Sequence, residues 1–529
     1  MTKEGYWYSG LERTAAAEAE IIVDAFRERG IEIVGEADPA REDADVKEDG
    51  IAFMCDRDHI LTREQYLGGA GTKDESQRTQ DAGKVRGVLD VLQGAGVPYP
   101  RITRVAGNVV LLCLNRRHPD HTDLKESSND PDAAREESSG SESGAGEPTT
   151  SEPTAGEPTA SEPAGGDGGE ADRATEEGER HDALELLDLI DRELGVGIAT
   201  PDQVLTAANG AMGPCSASEP QPIYPPAGPN PPVCREGGAR VRVFVADTGL
   251  LHDAAATFPW LDGVQGEDDP RTHLDGTIRS YGGHGTFVAG VLRSMAPEAQ
   301  VHVADIFNIA GSALESHFVR RLNEAFDFGF EILHLTASCM TRKNVQLIAL
   351  ETWLKLLGSY KGVVCVTPAG NNHTRRPSWP GAFPGVISVG ALATDWRHRA
   401  YFSDYGAWVD VYAPGEKLIN AFGVGKYTCK IPPNKGQVRT FTGLAQWSGT
   451  SFSAPIVTGL IAARMARHSE SAEEAAAALL AEARAQAIPE VGPVLFPGCA
   501  GGEEGRGHRD DDRRRWAPLW RQVRARMRR

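Results

Sequence analysis

Four residues in the C-terminal half have the types and settings that acyl transfer requires. Asp247 ends the β-branched run in VRVFVADTGL, and His284 opens a helical pattern after a glycine pair in YGGHGTFVAGVL. Ser451 opens another helical pattern in WSGTSFSAPIVTGL, and Asn371 follows the apolar run of VVCVTPAGNN. A serine hydroxyl is a poor nucleophile until a base takes its proton. A histidine does this near neutral pH, while a buried carboxylate fixes its tautomer and stabilises the imidazolium. The oxyanion then needs donors already in place, here the Asn371 side-chain amide and the Ser451 backbone N–H at a helix start. Singly, each residue has an ordinary explanation as a turn, a structural histidine or a helix N-cap. Their order and contexts together point to the chemistry.

The elements that must position them alternate between strand and helix from Ala239 onward. Strands are expected at Val241–Ala246, Val301–Ala304, Glu331–Leu335, Gly362–Val366 and Val386–Val389. Helices are expected from His284 to Met295, over Val345–Leu357, and from near Ser451. A further helix should be opened by the capping box Ser312-x-x-Glu315 and closed at Gly329. This alternation argues an α/β domain, a mostly parallel sheet with helices on both faces, whose ligands bind beyond the carboxyl ends of the strands.

Residues 241–250, 281–290, 365–371 and 447–459 resemble the four signature segments of the subtilisin-like serine peptidases, the subtilases of peptidase family S8. The resemblance covers roughly residues 238–468, and D-T-G, G-H-G-T-x-V-A-G and G-T-S-x-S-A-P rarely coincide elsewhere. The chain order Asp, His, Ser is that of subtilisin itself. The resemblance implies a subtilisin-like fold and peptide-bond hydrolysis through an acyl-enzyme on Ser451. Asp247 would orient the base, His284 be the base, and Asn371 the oxyanion donor. His284 and Asn371 disfavour the sedolisin branch, which uses Glu and Asp at those places.

The sequence also departs from the family. Leu335-Thr336-Ala337-Ser338-Cys339 stands where a strand ending in Ser-Leu-Gly usually pairs with substrate, and its larger side chains would narrow the cleft. Phe287 replaces a frequent second His, a change expected to be neutral. No organic cofactor is implied. Structural calcium is common in the family, but its ligands find no match here, so no metal is assigned. The reading from another class is a catalytically silent subtilisin-like module that binds peptide without turnover.

The rest of the chain divides by composition. Residues 1–118 read as a small α/β domain. They hold a helix opened by the Ser9-x-x-Glu12 capping box and ended at Gly30, and strands at Ile31–Val34 and Ile51–Cys55. A helix over Lys84–Gln93 follows, and ITRVAGNVVLLCL suits a strand pair. Residues 119–182 carry 19 Asp and Glu against 4 Lys and Arg, with a GEPTT, SEPTA, GEPTA, SEPAG repeat, so they read as a disordered acidic spacer. Residues 183–238 continue with a helix over Ala183–Leu194, an extended Gln203–Ala207 and a Pro-rich connector. The catalytic domain is placed at 239–485 and a basic tail at 486–529. The N-terminal half fits either an inhibitory prosegment or a regulatory domain that meets a partner through residues 1–118.

The spacer accounts for most of the net charge of −20, so global charge gives no support to nucleic-acid binding. No apolar run is long enough to span a bilayer, and the start of the chain lacks the pattern of a secretory signal. Eight scattered cysteines without a C-x-x-C pair argue against a zinc site and for free thiols, with Cys215 and Cys234 able to pair in an oxidising compartment. The expected location is the cytoplasm and the expected partner a protein or peptide substrate.

Overall fold

The computed structural model describes residues 19–37, 51–68, 87–97, 100–115, 181–207, 218–223 and 228–498, excepting 274 and 361. The Ser9 capping box, residues 119–180 of the acidic spacer and residues 499–529 of the basic tail lie outside the described residues. The first part of the segment read as tail is instead packed, with Val494 and Leu495 buried and the Leu495 N–H donating to the Tyr412 carbonyl.

A seven-stranded sheet forms the centre of the C-terminal half. Its order is Val411–Pro414, Val386–Leu392, Val364–Pro368, Ile332–Leu335, Arg242–Asp247, Gln300–Asp305 and Gln265–Gly266. All of its pairings are parallel. Val243, Phe244, Val245 and Ala246 are all buried, as a strand covered on both faces requires. The helix Thr450–His468 packs across strands of this sheet and against the helix His284–Met295. The chain order is not the spatial order: Arg242–Asp247 lies inside the sheet, so its carboxyl end opens between neighbouring strand ends.

The N-terminal half adds an antiparallel sheet. Ala199–Thr206, Ile51–Arg63, Val109–Cys113 and Arg101–Ala106 pair in that order, with Ile33–Ala37 also on Ile51–Arg63. Side chains alternate across it, as period-two geometry demands. Ile60, Val110 and Leu112 pack under the helices Val88–Gly94 and Ala183–Leu194, whereas Leu61, Val109 and Leu111 join the main core. The second face rests on the helices Glu315–Leu322 and Ile348–Leu357 of the C-terminal half.

Several expectations are corrected. Ser312 caps no helix: Ser312–Leu314 is an edge strand that pairs antiparallel with Ala199–Thr206. The helical segment breaks at Asn323 into Glu315–Leu322 and Glu324–Phe328. Glu315 does cap a helix, but a different one, since its Oε1 accepts the N–H groups of Ala349 at 2.6 Å and Leu350 at 3.0 Å. The long hairpin Leu418–Thr428 and Val438–Trp447 and the helix Ala472–Ala485 are additional elements. Cys234 is disulfide-bonded, while Cys55, Cys113, Cys339, Cys365 and Cys429 are free.

Candidate active site

The D-T-G and G-H-G-T segments are complementary in shape and hydrogen bonding. Asp247 ends its strand fully buried, and the Thr248 N–H donates to its Oδ1 at 2.7 Å. His284 is the first residue of its helix, reached through Gly283 at φ +79°, a conformation that favours glycine. The ring of Phe422 lies 3.0 Å from where a Gly283 Cβ would be. A Cβ on Gly285 would fall 2.3 Å from the Gly249 carbonyl, so the two motifs meet backbone to backbone. Gly285 N–H donates to Thr248 Oγ1 at 3.0 Å and Leu251 N–H to Thr286 Oγ1 at 2.8 Å. This fit sets His284 Nδ1 at 2.8 and 3.0 Å from the two Asp247 carboxylate oxygens. Such a contact holds the proton on Nδ1 and leaves Nε2 as the basic nitrogen.

The other two candidates meet through Thr450. Its N–H and hydroxyl donate to Asn371 Oδ1 at 2.8 and 2.9 Å, and its Oγ1 accepts the Gly370 N–H at 3.1 Å. With Oδ1 engaged, the orientation of the Asn371 amide is fixed and its NH2 is the end that can serve an oxyanion. The loop beyond is tied to buried Asp404, whose Oδ1 accepts the N–H groups of Asn372 at 2.8 Å and Thr374 at 3.0 Å. Burial pushes the Asp404 carboxyl up to about 7 against those hydrogen bonds. Ser451 stands next to Thr450 in the first turn of its helix, and the ring of Phe452 lies 5.3 Å from that of His284. The Trp447 ring meets His284 edge-on at 5.5 Å. Asp247 with His284, and Asn371 with the Ser451 turn, thus converge at strand and helix ends. Thr248, Thr450, Asp404 and Trp447 were not singled out in the sequence, although three of them lie in or beside the quoted motifs.

The serine faces the chain's own N-terminal half. Ser451 Oγ donates to the Ala207 carbonyl at 3.4 Å. Ala207 N–H donates to Gly311 O at 2.7 Å, and Thr206 and Ser338 exchange backbone hydrogen bonds at 3.1 and 3.2 Å. Leu205 and Val204 pair with Ala313 and Leu314. Ser338, read from the sequence as part of the substrate strand, therefore already holds an extended segment. The described chain resumes at Ser218, whose carbonyl accepts the Trp447 indole N–H, and Gln221 and Pro222 pair with Gln446 and Ala445. Val204–Ala207 and Ser218–Pro222 so flank the candidate centre on two sides. Among the described residues no cluster of His, Cys, Asp and Glu suits a metal ion, and no helix is long and apolar enough to cross a membrane.

Residues 238–495 match the subtilase family. The chain is 29% identical over 239 residues to a thermophilic serine proteinase of Bacillus sp. (strain AK1), covering 43% of this chain and 52% of that one. It is 28% identical over 237 residues to an intracellular serine protease of Paenibacillus polymyxa, covering 42% of this chain and 66% of that one. The match thus spans about half the length of the first relative. Among solved structures, a cold-adapted subtilisin-like serine proteinase aligns with a TM-score of 0.39 at 18% identity, over 50% of this chain and 92% of that one.

Proposed function

The chain belongs to the subtilase family through residues 238–495, and on that premise we propose that it is a serine endopeptidase, kept latent by its N-terminal half. The observation that carries the reading is the pairing of the Asp247–His284 contact at 2.8 Å with an Asn371 amide locked by Thr450 beside Ser451. His284 Nε2 takes the Ser451 proton as Oγ attacks the scissile carbonyl, and Asp247 stabilises the imidazolium. The Asn371 NH2 and the Ser451 N–H receive the developing oxyanion. His284 returns the proton to the leaving amine, and water then hydrolyses the acyl-enzyme by the same steps in reverse. Nothing in these steps calls for an organic cofactor.

Latency is supported by the segment Val204–Ala207, which lies extended against Ser338 and the edge strand Ser312–Leu314 with a carbonyl at Ser451. A substrate cannot take that strand position while it is filled. Self-cleavage between residues 208 and 217, or a partner acting through residues 1–118, would open the site. The test is labelling of full-length protein with a fluorophosphonate, alongside mass spectrometry of the chain ends and a Ser451→Ala control. Labelling that grows as a new end appears within 208–217, and that the control lacks, supports a latent peptidase. Processing that the Ser451→Ala control shares, with no labelling of either protein, would point to a silent peptide-binding module.

The proposed compartment is the cytoplasm, and the five described free thiols suit it. The bonded Cys234 pulls the other way. Alkylation of protein taken directly from cells, with and without reductant, distinguishes the two.

A further inference from the structure

Arg271 is wholly buried, and its guanidinium gathers three segments that build the site. Nε donates to Asn308 O at 3.1 Å, and Nη1 to Thr248 O at 3.1 Å and Asp269 Oδ1 at 2.9 Å. Nη2 donates to Asp305 Oδ1 at 2.8 Å, Phe307 O at 2.5 Å and Asn308 O at 2.9 Å. Thr248 follows Asp247 and holds the Gly285 N–H. Asp269 Oδ2 accepts the N–H of Gly283, the residue before His284, at 2.7 Å. Asn308 opens the turn into the edge strand, and its Oδ1 takes the N–H groups of Ala310 and Ser312 at 2.9 and 3.1 Å. A second contact spans the same gap: Tyr281, whose carbonyl accepts the His284 N–H, lays its ring on Gly311, where a Cβ would lie 2.5 Å from it.

We propose that Arg271 is a positioning residue that couples occupancy of the edge strand Ser312–Leu314 to the alignment of Asp247 with His284. An extended peptide that pairs with Gly311 and Ala313 loads the turn 307–311, and the guanidinium transmits that load to the carbonyl beside Asp247 and to the helix start at His284. Only a planar fork of five donors reaches all these acceptors at once; a lysine ammonium reaches a few of them and keeps the charge between Asp269 and Asp305. The selectivity that follows is for peptides long enough to reach the edge strand.

The inference rests on the peptidase reading, so the experiment begins with the full chain after self-processing. Two probes are compared: a Val-Leu-Thr-Ala-Ala anilide, which copies residues 204–208, and an acetylalanine ester, which is too short to reach the strand. Active sites are counted with the fluorophosphonate. Arg271→Lys should lose on the order of 10²-fold in kcat/KM per active site on the long probe, as small misplacements of reacting groups do. The loss on the ester should be several-fold smaller, and the acid limb of the pH profile should move for the long probe. Equal losses on both probes with an unmoved pH profile would overturn the coupling, whatever happens to the active fraction. If Arg271→Lys does not accumulate, Asp305→Asn removes one acceptor and should give the same length dependence at smaller size; a length-independent result overturns the proposal equally. A wild-type chain that neither labels nor turns over sinks the peptidase reading and this inference together, whereas wild-type turnover with a length-independent variant sinks this inference alone.

Discussion

Two sets of buried polar contacts meet at Ser451, and they are built differently. In the first, Asp247 holds His284 and Thr450 holds Asn371 by hydrogen bonds of 2.8–3.0 Å, with glycines where the motifs approach most closely. In the second, the N-terminal half reaches the cleft through a strand edge and three polar anchors. Asp202 accepts the Ser316 N–H and hydroxyl at 2.9 and 2.5 Å, Arg63 pairs with Glu351, and Asp191 takes Arg342 at 2.7 Å. In the first set each of these donors meets an acceptor. The second sets Asp202 close to another buried carboxyl, Glu315, whose Oε2 has no hydrogen-bond partner. On the proposed latency, the first arrangement keeps its geometry and the second is the one released.

The largest effect separates them outright. Ser451→Ala should abolish both fluorophosphonate labelling and new chain ends, while the N-terminal half stays docked, because none of its anchors involves that hydroxyl beyond the 3.4 Å contact to Ala207. Gel filtration of the variant as a single species after mild proteolysis within 208–217 checks the docking. Asn371→Ala should follow, costing on the order of 10²–10³ in kcat, the magnitude known for such a donor in subtilisin itself. Thr450→Val keeps the amide but removes the hydroxyl that locks it, so single-turnover acylation should slow by roughly 10-fold, the worth of one hydrogen bond. An Asn371 loss no larger than the Thr450 loss would mean that the amide is not the oxyanion donor.

The same contrast explains what could be read from the sequence. The first set consists of contacts within and between short motifs, such as Gly285 on Gly249 and Thr248 on Gly285, so the residue pattern itself records the geometry. The strands expected at Val241–Ala246 and Gly362–Val366, found at Arg242–Asp247 and Val364–Pro368, were legible as largely apolar runs for the same local reason. Ser312-x-x-Glu315 was misleading because its signal is also local, while the outcome was tertiary. Pairing with Ala199–Thr206 pulls Ser312 into a strand, and Glu315 turns to the start of Ile348–Leu357. The hairpin Leu418–Trp447 mixes polar residues and glycines and acquires its partners from the Ser218–Pro222 segment, far away in sequence. Arg271 lies in no motif, and only the fold brings its acceptors together.

Docking of the N-terminal half should weaken as pH rises. Burial pushes the Glu315 carboxyl up to about 8, and Asp202 adds to the push, against Arg63 and the N–H groups of Leu350 and Ala349. When the N-terminal half departs, Asp202 and Arg63 both go with it and water reaches the carboxyl; burial and Asp202 act more strongly than Arg63, so the Glu315 pKa falls. The docked state therefore binds the proton more tightly, and the contribution present below about 8 is lost as pH rises through that value. Dissociation of the processed N-terminal half, followed by fluorescence after a pH jump, should accelerate between neutral and alkaline pH. Glu315→Gln should flatten that dependence; an unchanged slope would place the titrating group elsewhere.

The smallest effect concerns the ion pairs at the rim. Lys343 pairs with Asp191 at 2.8 Å and Asp188 at 3.0 Å, but its side chain is 43% exposed, whereas Arg342 on the same two carboxylates is 4% exposed. Water screens the first and not the second, so Lys343→Ala should change retention of the processed N-terminal half by about 0–1 kcal/mol. Arg342→Ala leaves the nearly buried Asp191 with only the lysine, and should speed dissociation by more than about tenfold. Dissociation rates at two ionic strengths separate the pair, since only the lysine contribution should fade as salt rises. Equal effects of the two substitutions, both salt-sensitive, would mean that this rim is wet, and the anchoring would then rest on Asp202 and the strand Ala199–Thr206 alone.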